Sequence, residues 1–204
     1  MNKKKKLGIF IILLCLISII LILVVNYRSF YNNKEISNKE LLDIEDYLNS
    51  VKNNGFINHF YNNPLEIDIS KVLYNDTSIV NKIYNTDKEY NAIKNKININ
   101  MNDDIIGDLF KFDRLSIKLL YFEKTGKDIS ENINGIDLPY CDEYDFYWIN
   151  HTDSHYTKIK CISGEIDENK MYQIVYQKED SDKKYKVVLK KNKMQFLFVS
   201  NLEY

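Results

Sequence analysis

The chain has 204 residues, 45% of them apolar and 28% charged, with only six Gly and two Pro. That composition excludes a disordered or collagen-like chain and suits one ordinary domain with an extension. Residues 1–28 hold five of the 28 basic side chains and none of the 29 acidic ones, so the remainder is acidic by six. A body of that charge lacks the basic face that nucleic acid requires.

Lys3, Lys4, Lys5 and Lys6 precede an uncharged apolar run from Leu7 to Val25. At about 1.5 Å per residue, a helix of that length matches a bilayer core of roughly 30 Å. The Lys cluster would keep residues 1–6 on the cytoplasmic side, with the body outside the cell. The run has no small-x-small cleavage site at its end, so an uncleaved signal-anchor is expected rather than a signal peptide. Cys15 would be a small apolar residue within the span. Residues 26–36 then read as a polar stalk.

In the body, Ser37 and Glu40 have capping-box spacing, and Leu41, Ile44, Leu48 and Val51 recur at helical spacing toward a stop at Gly55. A turn follows at Asn63-Pro64, and residues 65–85 fit either a short helix or an extended connector. Thr86 and Glu89 repeat the capping box ahead of Tyr90, Ile93 and Ile97. "KININM" alternates, with Ile97, Ile99 and Met101 on one side, which fits a brief strand. Asp113 caps a further helix, with Leu115, Leu119 and Phe122 along one face and Gly126 at its end.

The period changes in the last third. "YTKIKCIS", "MYQIVYQ", "YKVVLKK" and "MQFLFVSN" are β-branched and aromatic segments separated by turn-like runs, the pattern of an antiparallel meander. Tyr172, Ile174 and Tyr176 would share one face, as would Phe196 and Phe198. Helices first and a meander last imply an α+β fold, with helices on a C-terminal four-stranded antiparallel sheet, as in cystatin-like or NTF2-like domains. The domain itself spans 37–204.

No G-x-S-x-G, P-loop, dinucleotide fingerprint, HExxH or EF-hand loop occurs, so no cofactor is expected. Attention falls on "CDEYDFYWINHTDSHYTK", Cys141 to Lys158. In an extended backbone His151, Asp153 and His155 would project to one side, a plausible divalent-metal set with Glu143 or Asp145 nearby. A His–Asp pair also suits acid–base work. The plainer reading makes the stretch a connector in which Tyr144, Tyr147 and Trp148 cover a core edge and Asp153 makes a turn. Cys141 and Cys161 could form a disulfide, or stand as two separate thiols.

Together, "NGFINHFYNNPLEIDISKVLYN", "LLYFEKTGKDIS", "YDFYWINHTDSHY", "SGEID" and "FLFVSN" resemble a group of uncharacterised secreted or membrane-anchored proteins of low-GC Gram-positive bacteria. The Lys-, Asn- and Ile-rich composition fits such AT-rich coding. Those proteins carry a Tyr-Tyr-x-x-His-Gly-Asp-Thr stretch. Tyr147, His151 and Asp153 fall on it, Trp148 replaces its second Tyr, and Thr152 replaces its Gly. The resemblance implies a shared structural or binding role for His151 and Asp153, and no particular activity.

The expectation is therefore a single-pass membrane protein whose domain binds a ligand or a protein partner through Tyr147, Trp148, His151 and Asp153. The alternatives are a metal-dependent or acid–base enzyme built on residues 140–156, and a regulatory subunit acting with a membrane partner.

Overall fold

The structure is a computed structural model that describes residues 14–23, 33–75, 87–130, 136–151, 156–193 and 195–204. Helix α1 covers residues 14–23. It is followed by β1 (Lys34–Glu35), α2 (Asn38–Leu48), α3 (Val51–Ile57), a 3₁₀ turn (Pro64–Glu66), α4 (Ile69–Asn75) and α5 (Asp87–Lys96). Then come β2 (Asp108–Asp113), α6 (Arg114–Thr125), β3 (Tyr140–Cys141), β4 (Phe146–His151), β5 (Ile159–Ile166), β6 (Met171–Lys178), β7 (Lys184–Asn192) and β8 (Gln195–Glu203).

The fold is α+β with two antiparallel sheets, and the expected single four-stranded sheet is corrected. The larger sheet has five strands in the order β1-β5-β6-β7-β8, and a second sheet of three has the order β2-β4-β3. The fifth strand comes from the end of the expected stalk, where Lys34 and Glu35 pair with Ile166 and Glu165, and Ile36 is buried.

The transmembrane helix is corrected as well. Among the described residues no helix is long and apolar enough to cross a membrane. The ten described residues of α1 cover about 15 Å at 1.5 Å per residue, half of a bilayer core. The remainder of 7–25, the basic tail 1–6 and residues 26–32 lie outside the described residues. The signal-anchor and the single-pass membrane location with an extracellular body are withdrawn with it.

The main core lies between the inner face of the large sheet and helices α2, α3, α4 and α6. Tyr172, Ile174, Tyr176, Tyr185, Val187, Leu189 and Phe198 alternate inward from β6, β7 and β8. They meet Ile44 and Leu48 of α2, Phe56 and Ile57 of α3, Val72 and Leu73 of α4, and Ile117, Leu120 and Tyr121 of α6. Phe56 stacks on Phe198 with ring centroids 4.8 Å apart. The helical run expected to stop at Gly55 instead breaks at Asn49–Ser50, and Gly55 sits inside α3. The reason is a helix crossing: a Cβ there would stand 2.6 Å from the Val72 carbonyl oxygen of α4. Residues 97–106 form turns and irregular chain rather than the expected strand, with Asn98 in the left-handed region at φ 58°.

Candidate functional site

The aromatic stretch forms a wall between two cores. Strand β4 pairs with β2 in the register Phe110↔Ile149, Lys111↔Trp148 and Phe112↔Tyr147, and with β3 through Tyr140↔Tyr147 and Cys141↔Phe146. Successive side chains of a strand leave opposite faces. Tyr147 and Ile149 accordingly join Phe112 in the main core, while Trp148 joins Leu109, Cys141 and Ile93 of α5 in a second, smaller one.

Tyr147 is 3% exposed and Trp148 1%, so neither presents a surface to a ligand in this conformation. His151 ends β4 opposite Asp108, and Asp153 and His155 lie outside the described residues. Among the described residues no group of three His, Cys, Asp or Glu side chains could hold a metal ion. Cys141 and Cys161 are free thiols in different cores, so of the two arrangements open from the sequence they take that of two separate thiols. Cys15 is exposed.

The second core carries charge at its centre. Lys111 Nζ lies 3.1 Å from Glu89 Oε1, with both side chains under a tenth exposed. The same ammonium stands 4.5 Å from the Phe146 ring centroid and 5.7 Å from that of Trp148. A buried charge is tolerated only when paired, and the two rings add cation–π attraction. Among the described residues the buried indole Nε1 of Trp148 has no hydrogen-bond partner, an arrangement that costs about 1–3 kcal/mol. Glu89 and Lys111 are 22 positions apart, and no spacing rule joins a helical carboxylate to a strand lysine at that distance, so sequence reasoning read Glu89 only as a capping residue and passed over Lys111.

At the near end of β4, the Arg114 guanidinium lies 4.4 Å from the Tyr140 ring and 5.9 Å from that of Tyr147. Its Nε is 3.4 Å from Asp145, which also accepts a hydrogen bond from the Tyr140 hydroxyl. This group closes the turn from β3 to β4 onto the start of α6.

Helix α6 itself carries the exposed chemistry. Asp113 caps it, accepting from the Ser116 N–H at 2.8 Å and the Ser116 hydroxyl at 2.6 Å. Gly126 ends it at φ 67°, its N–H donating to the Phe122 carbonyl at 2.8 Å. Ile117, Leu120, Tyr121 and Lys124 face inward and are buried, and the Tyr121 hydroxyl donates to the Pro64 carbonyl at 2.6 Å. Leu115, Leu119 and Phe122 are 64%, 59% and 59% exposed. At 3.6 residues per turn the two sets lie on opposite sides of the helix, roughly 180° apart.

Beside the exposed set, a cleft of about 340 Å³ opens between the end of α6 and the β7–β8 hairpin. Phe122, Gly126, Lys190, Lys191, Gln195 and Leu197 are among the residues that line it. The sequence marked the stripe Leu115, Leu119 and Phe122. The same spacing in Ile117, Leu120/Tyr121 and Lys124 carries the signal that the helix has two apolar sides.

Comparison of the chain with protein-family models, with curated proteins and with solved structures gave no match in any of the three.

Proposed function

We propose that the protein is a protein-binding module and that the outer face of α6 is its docking surface. The observation that supports this reading is the pair of opposed apolar faces on α6, of which the fold covers one. A surface helix buries a single stripe and turns polar residues outward. Three large apolar side chains in i, i+4, i+7 array on the outer side are the form of a hydrophobic recognition face.

The helix is suited to presenting that face. Both ends are capped, and its inner side is fixed by buried Ile117 and Tyr121. A partner therefore meets a surface that needs little ordering on binding, which lowers the entropic cost of association. The adjoining cleft is lined by Lys190, by Lys191, which pairs with Glu40 at 3.7 Å, and by Glu123, so Lys190 is the cation there that favours an acidic residue beside a partner's apolar anchors.

Co-purification from the native host tests the reading, with the wild-type chain compared against Phe122→Glu. The variant is expected to keep its melting temperature and lose the co-purifying protein. A partner retained at full yield by a folded Phe122→Glu protein contradicts the assignment of this face.

A further inference from the structure

We propose that α5 and the chain that follows it to Ile105 form a latch that opens independently of the main core, gating access to the Trp148 face of the small sheet. The latch holds itself together. Lys94 Nζ donates to the Met101 carbonyl at 3.1 Å, the Ile99 N–H to the Lys94 carbonyl at 2.9 Å, and the Ile105 N–H to the Tyr90 hydroxyl at 3.0 Å. Its ties to the sheet are of a different kind. Among the described residues, the ion pairs that join it there are Glu89–Lys111, which is buried, and Lys96–Asp142 at 3.8 Å, which is exposed.

The apolar contribution to closure is small. Among the described residues, four apolar residues are buried in the second core with six more partly buried against them, while the main core buries 26 with nine more partly buried. The β2–β4 ladder separates the two, so the latch can lift without disturbing the inner face of the large sheet. Regions with few buried apolar contacts open at lower free energy than the whole molecule. A buried ion pair adds little net stability when intact, yet removing one partner strands the other charge. Glu89 is thus the group on which closure turns. Opening would uncover Trp148, Phe146, Lys111 and Cys141 together.

The molecule carries its own reporters. Cys141 and Cys161 are each 7% exposed, one in each core. In the full chain carrying Cys15→Ser, labelling by an aromatic disulfide reagent is followed at each thiol by mass spectrometry across a urea series below the unfolding transition. Cys141 is expected to label at least tenfold faster than Cys161 and with a shallow urea dependence, because little surface is exposed when the latch lifts. Cys161 is expected to follow the steep dependence of global unfolding. Glu89→Gln should speed Cys141 at least tenfold and leave Cys161 unchanged. Equal, steep urea dependences at the two thiols overturn the proposal. So does a Cys141 rate that responds neither to urea nor to Glu89→Gln. If Glu89→Gln fails to fold, the two slopes in the parent protein decide alone.

Discussion

Asn49 and Ile159 exchange two hydrogen bonds: the Asn49 amide donates to the Ile159 carbonyl at 2.9 Å and accepts from the Ile159 N–H at 2.9 Å. The side chain thus behaves as one residue of an additional strand. Asn54 does the same at Thr157, donating at 2.7 Å and accepting at 3.1 Å. Glu45 accepts the Cys161 N–H at 2.7 Å. Among the described residues β1 pairs with β5 at Glu165 and Ile166, so these three side chains, from α2, α3 and the junction between them, satisfy alternate positions of an edge that would otherwise be open to another chain.

Asn49→Ala is expected to destabilise the fold by about 2–3 kcal/mol, because it leaves a buried N–H and a buried carbonyl without partners. Urea unfolding measures this. A loss under about 0.5 kcal/mol, the range of ordinary surface changes, would show that water replaces the amide at no cost.

Stability should fall on the alkaline side. Burial, reinforced by the Glu45 carboxylate, pushes the Cys161 thiol up to about 12 from an ordinary 9.0. Burial also raises the hydroxyls of Tyr47, Tyr61, Tyr121 and Tyr176. Each group keeps its proton in the folded state at a pH where the unfolded chain releases it. Their contribution is complete below pH 9 and is lost as pH rises from there through the raised values. The free energy of unfolding against pH checks this, and Cys161→Ala should flatten the first part of the decline.

The acid limb has the opposite sign. His59 is buried, and burial lowers its pKa from 6.5 despite the Gly55 carbonyl 3.0 Å from its Nδ1. The unfolded chain then binds the proton more readily than the folded one, so stability is lost as pH falls from 6.5 through the lowered value. His59→Gln is expected to remove this component of the pH dependence, read from melts between pH 7 and pH 4.

Trp148 is buried on the small-core side of β4, and among the described residues its N–H has no partner. Trp148→Ala should cost about 3–5 kcal/mol. Trp148→Phe should cost less than its change in volume suggests, since it also removes the unpaired donor. Chemical denaturation of the two variants tests the order. Equal losses would mean that the N–H has an acceptor in solution.

The sequence disclosed elements with one buried face and concealed those with two. The meander strands β6 and β7 alternate cleanly, since one side of their sheet is half exposed. The Ser37 cap of α2 and the Asp113 and Gly126 ends of α6 also stand where spacing placed them. Strand β4 was read as a connector because Phe146, Tyr147, Trp148 and Ile149 give no alternation when both faces are covered. Strand β2 escaped notice for a related reason: Lys111, a polar residue in the pattern, is buried among Phe146, Trp148 and Glu89. Gly55 was taken for a helix stop because close approach of α4, its actual constraint, comes from a segment 17 positions away. The metal set His151, Asp153 and His155 rested on an extended backbone through 155, and of the three only His151 lies in a described strand.

The docking role of α6 is tested most directly by a photo-crosslinking residue placed at Leu119 in the full chain, expressed in the native host. The predicted result is one discrete adduct with a different protein, lost when Phe122→Glu is added and absent from the same probe placed at exposed Lys127. An adduct within the chain itself, a crosslinked pair of identical chains, or no adduct above the Lys127 control would contradict it.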